Sequence, residues 1–233
     1  MVQAQTTFVP DRRRLVVWLS ACLLMVALMV VLGGLTRLTH SGLSMVDWQV
    51  LNFLPPLSEG EWQSAFAKYQ ASPEFRLVNP GMDLAAFQAI FWMEYVHRLW
   101  GRLIGLAFAV PLLVFLWQGR IGKGLALRLA GIFLLGGLQG LMGWLMVQSG
   151  LADVPDVSHY RLAAHLLLAF AILAALLWTA LDLAVPTTPA VQLRGLFGWV
   201  LGFVALVLVT ACWGGFVAGL DAGMIHNSFP LMD

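Results

Sequence analysis

Charge is scarce in this sequence. Of its 233 residues, 11% are Asp, Glu, Lys or Arg, and the formal net charge at pH 7 is +1. The charges fall mostly in connecting segments and form no basic stripe, which excludes a nucleic-acid face. Cysteine is almost missing. Cys22 and Cys212 both lie in apolar runs, 8 and 18 residues beyond Arg14 and Arg194. That offset is a depth difference of roughly 15 Å, too far for a disulfide, so two buried free thiols are expected. A secretory cleavage site is lacking as well. The opening MVQAQTTFVPDRRR has none, and the apolar run that follows is too long for a signal-peptide core. A short cytoplasmic tail (1–14) and a retained first helix are expected.

What is abundant is apolar surface: 60% of residues are hydrophobic, and the mean hydropathy is +0.84. Several runs reach the ~20 residues that cross a bilayer. Five spans emerge, at 15–35, 84–118, 125–148, 160–181 and 196–218. They define an all-α integral membrane protein. Arg12, Arg13 and Arg14 precede the first span, and Arg120, Lys123 and Arg128 flank the connection between the second and third. Basic residues stay on the cytoplasmic side, so the N-terminus is expected inside and segment 37–83 outside. In that segment SEGEWQSAFAKYQ fits a short surface helix with Ser58 as N-cap and a plain loop equally well.

The stretch 91–105, FWMEYVHRLWGRLIG, is the exception to the apolar rule. It places Glu94, His97, Arg98 and Arg102 in a membrane-spanning run, where ionisable groups are costly and usually functional. Glu94 and His97 are three residues apart and share a helix face. Gly101 and Gly105 continue the His97 stripe and would leave a slot for a flat ligand against the backbone. The plainer alternative is a packing histidine. His165 weighs against it. His97 lies 21 residues before Gln118, and His165 lies 17 before Asp182. The difference of four residues is about 6 Å of depth, so the two can face each other across a bundle. Bis-imidazole ligation of a haem between helices needs that arrangement.

Arg37, Arg98 and Arg161 fall near the same outer level, and Arg161 shares the His165 face. Together they suit the propionates of a haem. The alternative for each is interfacial snorkelling, which is the better account of Arg37 taken alone. For Glu94 the alternative is an i,i+4 ion pair with Arg98. The third span carries Gly131, Gly136, Gly137, Gly140 and Gly143. Gly136-x-x-x-Gly140 reads as close helix packing, and Gln139 is the polar residue there within reach of the cavity. His40 and His226 are expected to be solvated or interfacial, and His159 to face away from His165.

Gly33, Gly34 and Gly42 recur as Gly214, Gly215 and Gly223, each 181 positions later. Both sets end an apolar helix at its outer side. The simplest account is a duplicated four-helix unit: a first unit at 15–183, a cytoplasmic loop at 184–195, and the first helix of an incomplete second unit at 196–233.

GGLTRLTHSGLSMVDW (33–48), EYVHR (94–98), RLAAHL (161–166) and GGFVAGLDAGMIHNSFPLM (214–232) resemble the haem A synthase family (Cox15/CtaA) over the whole chain. The resemblance implies an eight-helix protein of two four-helix halves. It implies an oxidoreductase that converts the C8 methyl of haem O to the formyl of haem A, through an alcohol, for cytochrome oxidase assembly. The N-terminal half would hold the haem O substrate with His97 and His165 as its histidine pair, and Glu94, the acidic residue of Glu-x-x-His, as the catalytic group, a base for the substrate's protons or a stabiliser of developing positive charge. A haem b cofactor is expected in the missing C-terminal half. The resemblance also implies haem O synthase and an oxidase assembly factor as partners, admits a homo-oligomer, and places the chain in a bacterial inner membrane. The absence of cysteine in 37–83 matches the cysteine-free members. Two competing functions stand beside it. A bis-His electron-transfer cytochrome has little use for Glu94. A transporter built on an inverted repeat predicts helices broken near mid-membrane.

Overall fold

The computed structural model describes residues 12–47, 54–152, 154–185 and 194–225. Its long helices are α1 (Arg12–Leu38), α4 (Leu84–Trp117), α5 (Lys123–Gly150), α6 (His159–Ala184) and α7 (Arg194–Gly219). Two short ones, α2 (Glu59–Gln70) and α3 (Pro73–Leu77), lie between α1 and α4, and a 3-10 turn at Ala222–Met224 follows α7. The long helices match the expected spans within a few residues, and five are long and apolar enough to cross a membrane. No strand occurs among the described residues. The chain is therefore an all-helical integral membrane protein.

The bundle has a simple plan. α1 packs against α4 and α6, and α5 packs against the same two, so α4 and α6 occupy diagonal corners. α7 packs on α6 from outside this square. The α6–α7 contact is made by glycine: a Cβ on Gly215 would lie 3.0 Å from the Ala163 Cα, and one on Gly219 would lie 2.6 Å from the His159 Cβ. Small residues spaced by four bring two helix backbones together. Elsewhere α7 is largely exposed.

Each helix must satisfy its own backbone in hydrocarbon. Pro111, inside α4, has no N–H to give to the carbonyl of Ala107. Trp18 of α1 replaces it, its Nε1 donating to the Ala107 oxygen at 2.8 Å. Trp100 Nε1 donates to the Met25 oxygen at 2.9 Å, a second tie between α4 and α1. α4 thus stays continuous across its proline, and none of the five helices is broken in the manner of a transporter.

The surface helix in 37–83 forms. Ser58 Oγ accepts from Glu61 N at 3.3 Å and Glu61 Oε2 accepts from Ser58 N at 2.9 Å, a capping box that satisfies orphan amides at the start of α2. α2 and α3 cover the start of α4 through Phe66, Tyr69, Phe87, Phe91 and Tyr95. We call this the capped end. A separate cluster of Leu19, Cys22, Val26, Phe108, Leu112, Leu129, Ile132, Ile172, Leu176 and Ala180 fills the far half of the bundle. Both cysteines are free. Cys22 is buried as expected, while Cys212 on sparsely packed α7 is only half-buried.

One buried group in the cap is a carboxylate. Glu74 is 5% exposed, and its Oε2 has no hydrogen-bond partner. Burial pushes its pKa up to about 7, a hydrogen bond with Tyr69 opposes the shift, and the charge of Glu94 adds to it.

Candidate functional site

His97 and His165 stand on the diagonal helices α4 and α6. Both imidazoles are half-buried. Two glycines on the flanking helices make room for them. A Cβ on Gly33 of α1 would lie 3.4 Å from His97 Nε2, and one on Gly143 of α5 would lie 3.2 Å from His165 Cε1. The predicted slot beneath His97 is only half present. The methyl of Met29 stands 3.3 Å from a Cβ at Gly101 and fills that level, while Gly105 faces open space. Gly33 and Gly143 were the glycines to single out. Their signal was their position beside an ionisable pair, but which helix faces which histidine depends on bundle topology.

Gln139 reaches His165. Its Nε2 lies 3.3 Å from His165 Nε2 and donates to the His165 carbonyl at 3.2 Å. Gln139 Oε1 and His165 Nδ1 are buried with no hydrogen-bond partner. Buried polar atoms are almost always paired, so two such atoms on adjoining residues mark a site with ligand-binding capacity. The glycines Gly136 and Gly140 correct the sequence reading. A Cβ at either position would meet nothing within 4 Å among the described residues, so this stripe packs on none of the described helices.

Glu94 is 2% exposed and fully engaged. One oxygen pairs with Arg98. The other accepts from Ser44 Oγ at 2.6 Å and from Met45 N at 2.8 Å. Arg98 also donates to the Met45 carbonyl at 3.0 Å. The i,i+4 ion pair is therefore present, and it is tied into the turn that follows α1. Sequence spacing exposed the pair but not Ser44, which is 50 residues away in the chain.

The three arginines part company. Arg37 Nε donates to the Ala218 carbonyl at 2.9 Å, and Nη2 lies 2.9 Å from Asp221 Oδ2, so this residue secures the end of α7. Arg161 donates to the Leu145 carbonyl of α5. Only Arg98 meets a carboxylate within the bundle. His159 packs with Tyr160 and Phe216, ring centroids 4.1 and 6.1 Å away, on the α7 side. His40 is exposed, and His226 lies outside the described residues.

The donor set fits haem. Among the described residues no three His, Cys, Asp or Glu side chains cluster as a bare ion would require. Two imidazoles on diagonal helices suit an iron whose remaining positions are filled by a macrocycle. The fold and this site define a helical membrane protein with a histidine pair held inside its bundle. The comparisons narrow the class: the family described as COX15-CtaA, cytochrome oxidase assembly protein, matches residues 16–233, and the chain belongs to it. A heme A synthase of Paramagnetospirillum magneticum is 56% identical over 227 residues, covering 95% of this chain and 64% of that protein. Heme A synthase COX15 of Bos taurus is 49% identical over 225 residues, covering 92% of this chain and 54% of that protein. The corresponding protein of Arabidopsis thaliana is 48% identical over 232 residues, covering 93% and 50%. This chain thus spans about half to two thirds of the length of these relatives. No solved structure gives a significant match.

Proposed function

We propose that this chain provides the substrate half of a haem A synthase, which oxidises the C8 methyl of haem O to the formyl of haem A for cytochrome oxidase assembly. The observation that carries the reading is His97 and His165, half-buried on the diagonal helices α4 and α6 of a chain that belongs to the COX15-CtaA family. The bound haem would supply the redox chemistry of its iron. The protein's own share is to bind, orient and surround it. His97 and His165 would hold the iron, and the unpartnered Nδ1 of His165 and Oε1 of Gln139 supply polar capacity beside it. Gly33 and Gly143 keep the imidazoles free to reach it, with Gly101 and Gly105 along the same stripe.

Glu94 acts as a fixed negative charge one turn from His97. With both oxygens accepting hydrogen bonds, it can steady positive charge developing nearby. Arg98 neutralises part of that charge and anchors it. Arg161, on the His165 face, and Arg37 keep donor capacity for propionates beyond the carbonyls they hold.

A haem b cofactor belongs to the part of the relatives that this chain does not span. The basic residues at 12–14 support a cytoplasmic N-terminus, with the capped end on the outer side of a bacterial inner membrane. Haem O synthase and an oxidase assembly factor are the expected partners.

Co-expression of the full-length protein with a haem O source, then haem extraction and chromatography, tests the reading. Haem A should form, and His97→Ala or His165→Ala should leave haem O unconverted. Haem A at the unsubstituted level from both variants would overturn the assignment.

A further inference from the structure

The turn after α1 is more tightly held than a connecting loop needs to be. Ser41, Leu43 and Ser44 are 0%, 4% and 1% exposed. Ser41 N donates to the Thr36 carbonyl at 3.0 Å and Ser44 N to the Ser41 carbonyl at 3.3 Å, and His40 turns the chain with a positive φ of 49°. From here the turn crosses the capped end of the bundle and is fastened at both sides. On the α4 side Ser44 Oγ and Met45 N bind Glu94, and the Met45 carbonyl accepts from Arg98. On the α5 side the side chain of Leu43 fills the place of a missing side chain at Gly150, where a Cβ would lie 2.8 and 2.9 Å from its two methyls. Gly150 is the last residue of α5. The turn therefore bridges α4 and α5, one turn beyond His97 on α4 and two beyond Gly143 on α5.

We infer that residues 41–45 form a strap closing the capped end of the histidine site, with Ser44 and Leu43 as positioning residues that set Glu94 and Arg98 against His97. The inference rests on the haem reading above and adds what holds the ligand in. A haem entering or leaving at this end must displace the strap. That means releasing the Ser44 and Met45 bonds to Glu94 and lifting Leu43 from Gly150. The strap is thus the kinetic barrier of the site, while the histidines set its affinity.

The test uses the full-length protein and its Ser44→Ala, Ser44→Thr and Leu43→Ala variants. One arm loads each with haemin and follows its transfer to apomyoglobin. The other follows hydrogen exchange at the Met45 amide in the haem-free protein. Ser44→Ala and Leu43→Ala should each speed transfer and exchange about tenfold, and Ser44→Thr, which keeps the hydroxyl, should restore both. Unchanged transfer rates in both alanine variants would overturn the strap, even with faster exchange at Met45, since the turn would then be only structural. If the unsubstituted protein takes up no haemin, the haem reading fails instead. The exchange arm then decides on its own whether Ser44 and Leu43 hold the turn.

Discussion

Glu94 meets three donors with two oxygens, and that sets what its replacement should do. An amide in its place turns an N–H toward a donor and leaves Arg98 without its charge. Removing one partner of a buried pair costs roughly 3–5 kcal/mol, and a buried donor left unpaired about 1–3. Glu94→Gln should therefore fold with a lowered melting temperature, and in the full-length protein should accumulate haem O or the alcohol. Normal haem A yield from this variant would confine Glu94 to holding the strap. Gly143 is the complementary case. Valine there would push on His165, and haem occupancy read by absorbance should drop severalfold while helix content stays constant. Gly136→Val should leave occupancy unaltered, because nothing of the described chain stands near it.

The cap formed by α2 and α3 is where burial and titration meet. Glu74 is exposed when unfolded, with an ordinary value near 4.5, and sits at about 7 when folded. The folded cap binds the proton more firmly. Its extra stability is complete below about 4.5 and is lost as pH rises through about 7, at up to about 1.4 kcal/mol per pH unit. Amides of α2 should exchange faster at pH 8 than at pH 5 once intrinsic rates are divided out, and Glu74→Gln should flatten the difference. A profile unaltered by the substitution would rule Glu74 out. The sequence made the five long helices legible because hydropathy and length suffice for them. It left α2 undecided, since Ser58 and Glu61 at capping-box spacing also occur in loops. The Glu94–Arg98 pair followed from helical spacing. Ser44, Gly33 and Gly143 did not, because each acts across a helix interface.

The glycine spacing of 181 read in the sequence has a backbone counterpart. His40 and Asp221 are 181 positions apart, and both carry a positive φ, 49° and 50°. Arg37 ties the end of α1 to α7 by donating to the Ala218 and Gly219 carbonyls and pairing with Asp221. Cations there complement the negative end of a helix by ~0.3–1 kcal/mol. Arg37→Ala should accordingly raise hydrogen exchange at 218–221 severalfold and leave the α2 amides alone. Equal effects at both places would mean global destabilisation instead. α6 has α1 and α5 on one side and α7 on the other, and from 161 to 170 it has no exposed residue. A helix bordered by lipid can tilt when the bilayer thins or thickens. This half of α6 has no such border, so His165 should keep its depth whatever the acyl-chain length. In nanodiscs of short-chain and long-chain lipid the Soret band of the loaded protein should coincide, while the emission of Trp199, exposed on α7, shifts with thickness.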